Sequence, residues 1–128
     1  MTISTNIAAI LRSQLKRSGC RVYTSDALVR IEATNSFYFP DVVVDCGKFD
    51  KNALYTSTPT VIFEVLSRST AMTDRREKLI AYKKIPTLSA YVIVQQAWKC
   101  VELHKRLDGE AWSVEEFDAN EEFALELC

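Results

Sequence analysis

The segment that most limits what this chain can fold into is Thr60-Val61-Ile62-Phe63-Glu64-Val65-Leu66, a nearly continuous apolar run of the kind found in strands covered on both faces. Such a strand needs a sheet with a layer on each side. Its one carboxylate, Glu64, falls where the backbone is deep. An unpaired buried carboxylate costs several kcal/mol or shifts its pKa until it is neutral, so Glu64 must have a partner. A structural ion pair, a strand end open to solvent and a functional site would each supply one.

The other elements fit around this strand. Residues 3–16 set Ile3, Ile7, Ile10, Leu11 and Leu15 at helical spacing, with Ser4 or Thr5 as caps and Ser18-Gly19 as the stop. From Cys20 the period shortens, and Arg21-Val22-Tyr23 and Leu28-Val29-Arg30-Ile31 read as two neighbouring strands or one interrupted strand. Phe37-Tyr38-Phe39-Pro40 leads into the β-branched strand Asp41-Val42-Val43-Val44-Asp45, and residues 46–59 form a long polar loop of the kind often used for function. Asp74 to Lys84 has helical composition, Ser89 to Val94 is another apolar strand, and Lys99 to Arg106 alternates toward an Asp108-Gly109 turn and a returning strand, Ala111 to Phe117. The order predicts an α/β (α+β) architecture, a mixed central sheet flanked by helices, within one domain over residues 1–128.

Strand alternation puts Asp41 on one face with Val43 and Asp45. If its strand lies beside the Glu64 strand, the two acids converge with the backbone carbonyl of Val65 on an oxygen-lined site, which suits Mg2+ or Mn2+ better than zinc. Asp41 alone would read as a turn residue after Pro40. Asp74, Lys78 and Tyr82 recur every four residues and share one stripe of the second helix. That stripe carries either an exposed ion pair or an ammonium leaning over the strand ends beside the carboxylates. His104 lies on the polar side of its strand and reads as a surface residue; Ser67, Ser69 and Thr70 read as helix caps, and Trp98 and Trp112 as packing residues.

A net charge of −1 gives no whole-chain support to nucleic-acid binding, although Arg12 to Arg21 and Arg75 to Lys84 allow the cations to gather on one side. Cys20, Cys46, Cys100 and Cys128 lie far apart without zinc or redox spacing and predict a reduced, intracellular protein. The apolar cluster Ile7 to Leu11 is too short for a signal-peptide core or a membrane span, so a cytoplasmic location without membrane contact is expected.

Taken together, Tyr38-Phe39-Pro40-Asp41-Val42-Val43-Val44, then Pro59 to Thr70 around Glu64, then Asp74, Glu77-Lys78 and Tyr82, and finally Pro86, Leu88 and Tyr91-Val92-Ile93-Val94 resemble the Uma-type putative restriction endonucleases, a branch of the PD-(D/E)xK nuclease superfamily. The likeness spans most of the chain. It implies a restriction-endonuclease-like core, Mg2+ (or Mn2+) held by Asp41, Glu64 and the Val65 carbonyl, and hydrolysis of DNA phosphodiester bonds. Many superfamily members carry the catalytic lysine two residues after the second acid; Leu66 stands there, and the family pattern moves that role to Lys78, steadied by Asp74 with Tyr82 beneath. Relatives usually have an N-terminal segment ahead of the first helix that this sequence is expected to lack. A homodimer would bring two sites to the two strands of DNA. The alternative is a catalytically inactive binding or assembly module that keeps the acids as a structural network.

Overall fold

The computed structural model describes residues 3–24, 27–48, 50–66, 72–95 and 100–118, with residues 72–75 by their backbone alone. The elements are α1 (Ile3–Gln14), β1 (Arg21–Thr24), β2 (Val29–Ile31), β3 (Ser36–Tyr38), β4 (Val42–Asp45), β5 (Val61–Leu66), α2 (Met72–Tyr82), β6 (Ala90–Gln95), β7 (Cys100–Arg106) and β8 (Trp112–Asp118). Six strands form one mixed sheet in the order β1-β4-β5-β6-β7-β8, while β2 and β3 pair separately. The β5 and β6 strands run parallel because α2 carries the chain back along the sheet, and every other neighbouring pair is antiparallel.

As its apolar run requires, β5 lies inside the sheet between β4 and β6. Alternation sends its residues, and those of its neighbours, into two cores. On one face Val42, Val44, Val61, Phe63, Ala90 and Val92 pack under Ile7, Ala8 and Leu11 of α1 and Leu15 just beyond it. On the other, Val43, Ile62, Tyr91 and Ile93 meet Ala81 and Tyr82 of α2 and Val29 and Ile31 of the β2–β3 ribbon. The same alternation assigns Asp41, Glu64 and Asp45 to the α2 face.

Three expectations change at this level. The stretches around residues 21–24 and 29–31 are neither neighbours nor one strand: β1 pairs with β4, whereas β2 turns through Asn35, at φ 50°, into β3. His104 is buried, at 3% exposure, because β7 lies inside the sheet and both its faces are covered; its Nε2 stands 2.5 Å from Oε1 of the equally buried Glu102. The cysteines are not all reduced. Continuing the Arg21↔Asp45 register by one step sets Cys20 opposite Cys46, and the two form a disulfide.

That cross-link closes a separation of 26 residues and ties the end of β1 to β4, beside the Arg21 guanidinium that donates to the Gly47 carbonyl at 2.6 Å. Closing a loop of this length stabilises a fold by about 3 kcal/mol. Thermal melts in a dithiol reductant, or of Cys46→Ser, are therefore expected about 10 °C below the oxidised wild type. Coincident melts would show that the bond contributes nothing.

Candidate active site

Pro40 fixes the entry to β4, and Asp41 stands immediately before it. Carrying the Val42↔Phe63 register one residue further places Asp41 opposite Glu64. Residues directly opposite on an antiparallel pair put their side chains on the same face, here the α2 face. Because β5 runs on to Leu66 beside β6 while its ladder with β4 ends at Phe63, no β4 ladder residue stands opposite Val65, and its N–H donates to Oδ2 of Asp41 at 2.7 Å. The two acids expected from the sequence are thus brought to one end of one strand pair.

Glu64 is only 5% exposed, and the hydroxyl of Tyr82 donates to its Oε1 at 3.1 Å. Tyr82 is fully buried, held edge-to-face by Tyr38 at 5.4 Å and Tyr91 at 5.1 Å between ring centroids. Burial first, and then the charge of Glu64, push its phenol well above the ordinary tyrosine range. It stays a neutral donor aimed at the carboxylate.

Lys78 lies one helical turn before Tyr82 on the same stripe of α2 and is half-buried. Asp74 falls in the first turn of α2, and its side chain lies outside the described residues, as do Ser67, Ser69, Thr70 and Trp98. Trp112 packs against the α2-side core beneath the Arg106 guanidinium, as a hairpin packing residue should.

Sequence reasoning missed the Glu102–His104 pair. The registers Glu64↔Ile93 and Ile93↔Glu102 place Glu102 in the same cross-strand row as Glu64, with Ile93 between them. The spacing Glu-x-His was a visible signal, but it only says that the two share a face. At the far end of β4 the buried Asp45 accepts from the Thr56 hydroxyl at 2.5 Å and the Gly47 N–H at 2.8 Å, with the Arg21 guanidinium at 3.5 Å. A cleft of about 400 Å³ opens there, lined by Tyr23, Lys48, Tyr55 and Thr58 among others. Asp45 is therefore tied into local hydrogen bonds at the opposite end of the strand from Asp41.

Whether Asp41 and Glu64 suit a metal turns on their donors. Both offer hard carboxylate oxygens on one face; Oδ2 of Asp41 accepts from the Val65 N–H and Oε1 of Glu64 from the Tyr82 hydroxyl. Among the described residues no group of three or more His, Cys, Asp or Glu gathers as a closed metal cage. A pair of carboxylates with no third acid gathered beside it among the described residues fits Mg2+, which keeps several waters, and does not fit structural zinc.

The family model of Uma2, described as "Putative restriction endonuclease", matches residues 1–128. Two uncharacterized proteins of Synechocystis sp. are each 28% identical, over 96% and 89% of this chain, and the chain spans 65% and 66% of their respective lengths. A crystal structure of a putative nuclease belonging to DUF820 from Anabaena variabilis superposes with a TM-score of 0.74 at 15% identity, covering 91% of this chain and 65% of that one. The structure of a DrdV–DNA complex superposes with a TM-score of 0.50 at 15% identity, over 88% of this chain and 10% of that one. The architecture is that of the restriction-endonuclease-like nucleases.

Proposed function

The chain belongs to the Uma2 family, and from that premise we propose that it is a metal-dependent endonuclease that hydrolyses DNA phosphodiester bonds at Asp41 and Glu64. The observation that carries this reading is the placement of two oriented carboxylates opposite each other at the end of β4 and β5. A nuclease function is the reading that family and fold both support.

Asp41 and Glu64, with the Val65 carbonyl, would hold Mg2+ or Mn2+. A divalent ion bound there would supply charge stabilisation at the phosphate and make a water easier to deprotonate near neutral pH. The chain's own residues prepare that site. The Val65 N–H fixes the Asp41 carboxylate, and the Tyr82 hydroxyl fixes Glu64 without competing for its charge. Lys78, on the stripe with Tyr82, holds the attacking oxygen or a phosphate oxygen with its ammonium. A homodimer would bring two such sites to a duplex. Among the described residues no helix is long and apolar enough to cross a membrane.

Calorimetric titration with Mg2+ or Mn2+, alongside cleavage of supercoiled plasmid, tests the assignment. Lys78→Met is expected to keep the metal-binding heat and to lower cleavage about 100-fold, since the ammonium contributes at the level of one general acid–base group. A wild type that releases no heat with either ion would return the acids to a structural role.

A further inference from the structure

The geometry points to a platform that stacks unpaired bases of a DNA strand, formed by Arg30, Tyr55, Phe37 and Phe39 and running from the Asp45 end of β4 toward the acids. This rests on the nuclease reading of Asp41 and Glu64, and it adds the form of substrate. Phe39 is 65% exposed, Phe37 47% and Tyr55 42%, although rings of this size normally find cover in the core. They are not scattered. The β2–β3 register sets Arg30 opposite Phe37 on the outward face of the ribbon, while Val29, Ile31 and Tyr38 face the core. Tyr55 meets Phe37 edge-to-face at 5.7 Å, and the Arg30 guanidinium lies over the Tyr55 ring at 5.9 Å.

The ribbon leads straight into the site. Only Pro40 separates Phe39 from Asp41, so their Cα atoms are at most about 7 Å apart along the chain. Aromatic faces joined by a guanidinium match a polyanionic strand whose bases have π-faces, and this recognition tolerates any sequence. Arg30 is held by Glu32 at 3.5 Å and Asn35 at 3.3 Å, and Glu32 is an exposed partner that a phosphate can replace. A duplex hides its base faces, so the platform favours strands that are single or locally opened.

Fluorescence anisotropy of a labelled thymidine homopolymer, and of a duplex of equal length, in EDTA removes cleavage from the measurement. Wild type is expected to prefer the single strand. Phe39→Ala and Phe37→Ala should each weaken binding about 5- to 100-fold, the range for loss of one stacked base, and Phe39→Trp should restore it. Equal affinity for both DNA forms, or alanine variants that bind like wild type, would overturn the platform. So would a dimer by light scattering that Phe39→Ser dissociates, because a second copy would then cover these rings. Protein that binds the single strand but cuts nothing with Mg2+ or Mn2+ fails the nuclease reading and not the platform, and protein that cuts duplex while ignoring single strands does the reverse.

Discussion

Glu64→Gln is expected to fold like wild type and to lose about 10²- to 10⁴-fold of its metal-dependent cleavage, the range that corresponds to several kcal/mol of charge stabilisation at the phosphate. Glutamine keeps the shape of the side chain and a carbonyl oxygen that accepts from the Tyr82 hydroxyl, so the buried hydrogen bond survives. What disappears is the charge. Removing a carboxylate from a position only 5% exposed also relieves its desolvation, which offsets whatever the new amide fails to pair. Asp41→Asn runs in parallel, because its side-chain oxygen can still accept from the Val65 N–H. The double variant should cut no worse than either single one, since the two acids act as one unit. Plasmid nicking rates at saturating Mn2+, paired with thermal melts, read both quantities. If both single variants keep wild-type rates, the site lies elsewhere. A loss of rate that tracks a loss of folded protein would instead make the acids structural.

The parts legible in the sequence were those fixed by local pattern plus one long-range inference. The apolar run around Glu64 dictated an interior strand, and alternation alone placed Asp41 on the same face as Val43. Their meeting required β4 and β5 to be neighbours, which is a tertiary fact that the sequence could only make conditional. Where the reading failed, the missing information was of the same tertiary kind. Ser36–Tyr38 is a strand because β2 is there to pair with it, and three residues carry too little pattern to announce themselves. Alternation in β7 separated Glu102 and His104 from Leu103 correctly, but it does not say which face is wet; here both faces are covered. Cys20 and Cys46, at a sequence separation of 26, have no local signature at all and become partners only through the β1–β4 register.

Tyr82 joins the fold to the site, and its two substitutions separate those roles. Tyr82→Ala removes a fully buried ring that Tyr38 and Tyr91 clasp, and such deletions cost about 3–5 kcal/mol. For a domain of this size that is a large share of the total stability, so the variant should melt far below wild type or fail to fold. Tyr82→Phe keeps the ring and deletes the donor to Glu64. A hydrogen bond to a charged group contributes about 1.5–3 kcal/mol, and the buried carboxylate loses that contact. This variant should fold, melt lower than wild type, and cut more slowly because Glu64 is no longer fixed. The raised phenol pKa adds a pH signature. Tyrosine in the unfolded chain ionises near about pH 10, whereas Tyr82 in the fold stays protonated, so its contribution is fully present below that pH and is lost as pH rises above it. The stability gap between wild type and Tyr82→Phe should therefore be constant from neutral pH to about pH 9 and narrow above about pH 10. Urea titrations of both proteins across that range measure it. A gap that stays constant into strong alkali would mean that Tyr82 ionises in the fold as it does in water, and its hydroxyl would then not be the buried donor that orients Glu64.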